Sequence, residues 1–178
     1  TESHQRGTSQ AVADVIWGDQ TPDKFCVVLG DTAINADIDL LASQWFSSGM
    51  DVALVAHPNL HPDDSDRIVF NNDRIATGFA PKGSVEQIES STFLPLTGLL
   101  FFDKRTLQSL TPSNADLVQW LIDSSLGRRK VQVLSTSQYF KDSGTPKRIE
   151  SIQADFISGN LQRRGASKRA AIFVDRDG

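Results

Sequence analysis

The chain has 178 residues, room for one domain, or one domain and a piece of another, but not for two mid-sized ones. Its 18 Lys and Arg against 22 Asp and Glu give a net charge of −4, which excludes a global basic field for wrapping nucleic acid. A hydrophobic share of 39% supplies a core, and a single cysteine, Cys26, excludes an intrachain disulfide and a multi-cysteine zinc cluster. The longest nearly apolar run, Leu94 to Phe102, is broken by Pro95, Thr97 and Gly98 and falls far short of the ~20 residues of a membrane helix. The first ten residues carry no signal-peptide core. No nucleic-acid or membrane partner is expected, and the chain reads as a soluble protein of a reducing, cytoplasmic compartment. Its one methionine, Met50, is internal and its last residues open a new strand, so it also reads as a fragment truncated at both ends.

In chain order, Ala11, Val12, Val15, Ile16 and Trp17 have helical spacing that stops at Gly18. Phe25 to Leu29 is a continuous apolar run, read as a buried strand entering the loop Gly30-Asp31. Ile38, Leu41, Ala42 and Trp45 share a helical face that Gly49 closes. Val52 to Ala56 predicts a second buried strand, ended by His57-Pro58. Arg67–Phe70 and Arg74–Gly78 flank Asn71-Asn72-Asp73, a hairpin signal. Leu96–Phe102 reads as a strand, Thr106–Leu110 and Ala115–Leu126 as helices, and Val131–Leu134 as a strand. Thr145 caps a helix with Pro146 in its first turn, and Ile149, Ile152, Phe156 and Ile157 form its apolar face up to Gly159. Asn160 to Arg169, polar and basic with Arg163, Arg164, Lys168 and Arg169, reads as a linker. Strand–helix alternation with an inserted hairpin predicts an α/β fold, a mixed, mostly parallel sheet with helices on both faces. Ligands of such sheets bind beyond the carboxyl ends of the strands.

Two carboxylates stand out. In Leu29-Gly30-Asp31-Thr32, a carboxylate just past a strand, beside a glycine that lets a ligand approach the backbone, suits magnesium holding phosphates; an ordinary Gly-Asp turn is the alternative. In Lys141-Asp142-Ser143-Gly144-Thr145-Pro146, helix capping accounts for Thr145 and Pro146 and leaves Asp142 unexplained. Two carboxylates far apart in sequence can meet over one sheet edge and share a divalent ion, as phosphoryl and nucleotidyl transfer requires.

Gly30-Asp31-Thr32, His57-Pro58-Asn59-x-His61-Pro62-x-Asp64-Ser65-Asp66, Thr97-Gly98 and Lys141-Asp142-Ser143-Gly144-Thr145-Pro146 occur in order. Together they resemble the sugar-1-phosphate nucleotidyltransferases, near the mannose-1-phosphate and D-glycero-D-manno-heptose-1-phosphate guanylyltransferases, over about Arg6 to Asn160. The resemblance implies a Rossmann-like, glycosyltransferase-A-like sheet. It also implies magnesium-dependent transfer of a nucleotidyl group from a nucleoside triphosphate, GTP as first guess, to a sugar 1-phosphate. By resemblance Asp31 and Asp142 hold the Mg2+, Gly7 and Thr8 lie against the nucleotide, Gly98 lies near the sugar, and Lys82 reaches the sugar phosphate. Ser9-Gln10 and Pro95-Leu96-Thr97 depart from the family pattern. The family's N-terminal loop, Gly-Gly-x-Gly-Thr-Arg, does not occur in this sequence, so the fragment alone is expected not to turn over.

Ile172-Phe173-Val174-Asp175-Arg176-Asp177-Gly178 resembles the first motif of haloacid dehalogenase-like phosphatases, in the histidinol-phosphate and heptose-bisphosphate branch. That resemblance makes Asp175 the nucleophile and Asp177 the general acid/base. The expected organisation is a nucleotidyltransferase domain over 1–159, a linker over 160–169 and the start of a phosphatase over 170–178. The alternatives are a phosphatase as principal activity, or a nucleotide-sugar-binding regulatory module without catalysis. His57 and His61 are read as incidental loop histidines because Pro58 and Pro62 forbid a metal-binding helix. His4 belongs to an end segment, and Cys26, Trp45 and Trp120 are read as core.

Overall fold

The computed structural model describes residues 7–16, 22–58, 65–83, 92–108, 117–125 and 131–166. The chain divides into two compact units, Thr1–Gly30 with Ile38–Thr136, and Asp31–Asp37 with Ser137–Gly178.

The larger unit is built on one long strand. β6 (Thr92–Asp103) pairs antiparallel with β1 (Lys24–Val28), β3 (Val52–Ala56) and β4 (Arg67–Phe70), while β5 (Ala76–Ala80) extends β4 and β7 (Val131–Ser135) lies parallel to β3. The order is β5-β4-β6-β3-β7, with β1 also on β6. The fold class is therefore the expected mixed α/β sheet, with one correction in its detail. β1, β3, β4 and β7 do run the same way, but β6 threads between them in reverse, so among the described strands only β3–β7 is a parallel pair. Apolar runs signal strands and carry no direction, which is why the sequence leaves this open.

Strand alternation explains the two covered faces. Leu100 and Phe102 of β6, with Val52 and Leu54 of β3, form one core with Ile16 of α1 (Thr8–Ile16) and Leu117, Trp120 and Leu121 of α4 (Leu117–Ser125). Phe101 points the other way, where Trp45 of α2 (Ile38–Ser48) stacks on it at 5.5 Å. All five residues of β3 are buried, as a strand flanked by two neighbours and covered on both faces must be. β1 is different. Phe25 and Val27 pack on the core, but Lys24, Cys26 and Val28 are exposed, so Cys26 is not the core residue expected. β1 carries apolar residues on both faces, which hides its alternation from a sequence reading.

The hairpin forms where Asn71 predicts it. Its side-chain oxygen accepts from the amides of Asp73 and Ile75, both at 3.0 Å, an Asx turn, and Arg74 sits at φ 60°. α3 (Lys104–Gln108) starts at Asp103, whose carboxylate accepts from the Arg105 amide at 3.0 Å. Trp120 and Trp45 are core as expected.

The smaller unit pairs β2 (Thr32–Asn35) antiparallel with β8 (Tyr139–Asp142), and adds α5 (Pro146–Ile157) and α6 (Asn160–Arg163). Thr145 caps α5 and Pro146 enters its first turn, both as expected. Asn160–Arg163, read as linker, is helical. Asn160 donates to Asp155 at 2.9 Å and Asn35 donates to the Leu161 carbonyl at 3.2 Å, side-chain anchors that an apolar-period argument does not see. No residue of α5 is buried, and its apolar face, Ile149, Phe156 and Ile157, is exposed. Asp175, Asp177, His4, His61 and the phosphatase-like end lie outside the described residues.

Candidate functional site

Asp31 and Asp142 come together. The β2–β8 register sets Thr32 opposite Asp142, and the Asp31 carbonyl accepts from the Ser143 amide at 2.6 Å and from its hydroxyl at 2.9 Å. The two side chains converge on Gly144. A Cβ there would lie 3.0 Å from Asp142 Oδ1 and 3.4 Å from Asp31 Oδ2, so the two oxygens are no farther apart than the sum of those distances. Glycine keeps this cradle between the carboxylates open.

Asp142 is oriented by two bonds. Its Oδ1 accepts from the Gly144 amide at 2.6 Å, and its Oδ2 from Arg148 Nη1 at 2.6 Å. Asp142 is half exposed and Arg148 mostly covered, at 50% and 28%. A pair this open contributes under about 1 kcal/mol. Arg148 is the residue that the sequence reading missed. A signal was present: the first turn of α5 holds Lys147 and Arg148 and no acid, although the helix dipole disfavours cations there by about 0.3–1 kcal/mol each. The donor set fits magnesium, which keeps several waters and uses one or two carboxylates beside substrate phosphates rather than a full protein cage. Among the described residues no group of three or more His, Cys, Asp or Glu converges.

Behind Asp142, Asp155 Oδ2 accepts from Lys141 Nζ at 2.7 Å and from the Tyr139 hydroxyl at 2.9 Å, and Lys141 also donates to Ser151 at 2.6 Å. Burial alone would raise the Asp155 carboxyl, but the hydrogen bonds from Lys141, Asn160 and Tyr139 outweigh it and hold the group below its ordinary range. Burial, then the bond to Asp155, pushes the Tyr139 hydroxyl well up. The network clamps β8 to α5 on either side of the Asp142 loop.

In the larger unit, Gly98 lies in a bulge of β6, between Leu96 and Leu100, where pairing with β3 shifts register. Its φ is +81°, a left-handed conformation natural to glycine. Thr97 beside it is buried; its hydroxyl donates to the Val55 carbonyl at 2.9 Å, and the Gly98 carbonyl accepts from the Leu29 amide at 2.9 Å. Gly7 precedes α1, and its carbonyl accepts from Gln10 and Ala11. Thr8 Oγ1 accepts from the Leu117 amide at 2.9 Å, so this hydroxyl caps α4. Lys82 is exposed, and its amide donates to Asp66 Oδ1 at 2.8 Å.

No protein-family model and no curated protein matches the chain. Solved structures do. A protein assigned as a glucose-1-phosphate thymidylyltransferase from Bacillus anthracis, solved with sucrose, is 17% identical with a TM-score of 0.62, over 85% of this chain and 62% of its own. HddC from Yersinia pseudotuberculosis is 17% identical with a TM-score of 0.67, over 87% of this chain and 64% of its own. Its complex with GMP-PN is 18% identical with a TM-score of 0.65 and covers the same shares. The chain thus has the fold of these proteins and spans under two thirds of their length. No helix among the described residues is long and apolar enough to cross a membrane.

Proposed function

We propose that the chain is the greater part of a magnesium-dependent sugar-1-phosphate nucleotidyltransferase. The carrying observation is that Asp31 and Asp142, far apart in sequence, converge on the open cradle at Gly144. The fold shared with the thymidylyltransferase-like protein and with HddC supports the same reading.

Asp31 and Asp142 would hold the cation, which when bound neutralises phosphate oxygens and aligns the two substrates. An oxygen of the sugar 1-phosphate forms a bond to the α-phosphorus of the nucleoside triphosphate as the bond to the β-phosphate bridge breaks, and pyrophosphate leaves. The Gly144 amide holds the Asp142 carboxylate and Ser143 holds the Asp31 backbone carbonyl, so the loop that carries both acids needs little reorganisation as charge develops. Within the larger unit, Gly7 and Thr8 are assigned to the nucleotide, Gly98 to the sugar and Lys82 to the sugar phosphate. GTP with a heptose or mannose 1-phosphate is the first pair to try. The Asp175-Arg176-Asp177-Gly178 end extends the proposal to a bifunctional cytoplasmic parent with a sugar-bisphosphate phosphatase, joined through the residues that follow α6.

The test is pyrophosphate release by the full-length parent, with magnesium and a panel of triphosphates and sugar 1-phosphates. Asp31→Asn is expected to lower release at least about 100-fold, the scale of losing one electrostatic contact to the transition state. Wild-type protein that binds nucleotide sugar yet releases no pyrophosphate with any pair would replace this reading with the regulatory one.

A further inference from the structure

We propose that Arg148 is a resident counter-cation of Asp142 that a divalent ion has to displace, so that this arginine sets the metal affinity of the Asp31–Asp142 pair. The inference rests on the reading of that pair given above. Asp142 Oδ1 is committed to the Gly144 amide, and Oδ2 carries the Arg148 guanidinium at 2.6 Å. An incoming cation therefore meets one free carboxylate, Asp31, and one already neutralised.

The placement of Arg148 has no explanation in the helix itself. Thr145 accepts from the Arg148 amide, so the cap is complete without the side chain, and at this third helical position a capping box would use Glu or Gln. A cation here works against the helix dipole, and so does Lys147 before it. A residue that breaks a local rule marks a function when the gain is visible nearby, and here the gain is the bond to Asp142.

The exchange is also feasible. Half of the Asp142 side chain is open to solvent, so ions reach it, and an ion pair of this exposure is weak beside two carboxylates closing on a doubly charged ion. Once displaced, the guanidinium remains by the site with Lys147 and the amide end of α5. Those groups are a fork and a dipole suited to phosphate oxygens. Arg148 thus opposes the cation when phosphate is absent and ceases to do so when phosphate offers it another partner. By linkage, cation and polyphosphate then favour each other's binding.

The experiment is a calorimetric titration of the 178-residue chain with Mn2+, alone and with inorganic pyrophosphate, for wild type, Arg148→Gln, Arg148→Lys and Asp31→Asn. With Mn2+ alone, Arg148→Gln is expected to bind about two- to fivefold tighter than wild type, and Arg148→Lys to fall between them. Pyrophosphate should shrink that difference. Affinity that is unchanged or weaker in Arg148→Gln, with its thermal melt preserved, overturns the inference while leaving the site intact if Asp31→Asn still abolishes binding. If Arg148→Gln does not fold, Arg148→Lys carries the same judgement. Mn2+ binding that ignores Asp31→Asn overturns both this inference and the metal reading beneath it.

Discussion

Thr97 shows how a single hydroxyl makes an irregular strand tolerable. The bulge at Gly98 removes a ladder partner from the Val55 carbonyl, which is fully buried and cannot turn to water. Thr97 Oγ1 supplies the missing donor at 2.9 Å and accepts from the Leu99 amide at 3.2 Å. Thr97→Val keeps the shape and deletes both bonds, so it is expected to cost about 1–3 kcal/mol, read as a lower urea midpoint at unchanged m-value. An unchanged midpoint would mean that the carbonyl finds another partner. Gly144 works by another means, through space rather than conformation, because a methyl there would press on Asp142 Oδ1.

At the scale of elements, β2 and β8 are short, and their attachment to α5 runs through Asp155. Lys141, Tyr139 and Asn160 all donate to that carboxylate. Asp155→Ala leaves a partly covered ammonium and the hydroxyl of a buried tyrosine without their acceptor. The expected loss is about 2 kcal/mol, seen as roughly 30-fold faster amide exchange in β2 and β8; unchanged exchange would reduce the network to decoration. None of this was legible in the sequence, where Lys141 and Asp155 share no period or motif. The long elements were legible because they bury apolar faces: β3, β7 and the Trp45 helix fall where their residues predict. The strand pair of the smaller unit was not, since Thr32–Asn35 and Tyr139–Asp142 owe their form to each other. Asp31 was singled out because it stands just past a strand, and Asp142 because capping accounts for Thr145 and Pro146 and leaves it over. Arg148 was missed because the reading of this helix start stopped at Thr145 and Pro146, the cap and the first turn, and did not weigh the cations that follow.

For the molecule as a whole, acid is the condition to which the structure is most exposed. The bidentate Arg105 guanidinium, against the opposing effect of burial, holds the Asp103 carboxyl down to about 2 from 3.8, and Lys24 lies 3.7 Å away. A carboxylate depressed in the folded state adds stability that is fully present above its unfolded value near 4 and is lost as pH falls toward the folded value. With the Arg105 guanidinium largely in solvent, the contribution of Asp103 is on the order of 1 kcal/mol, and Asp155 acts in the same sense. Denaturation at a series of pH values should show stability falling between about pH 5 and pH 2, with a shallower fall in Asp103→Asn. A wild-type curve flat over that window would contradict the assignment.

The reversed central strand also governs the order in which the molecule can be made. β1, β3 and β4 are synthesised first, yet none of them pairs with another; their common partner is β6. On a ribosome β4 can close its hairpin with β5, but β1 and β3 must wait, edges open, before that partner emerges. Sheet assembly is then a late zippering of distant segments rather than growth outward from a seed, the topology that folds slowly and most needs a chaperone's cover in the interval.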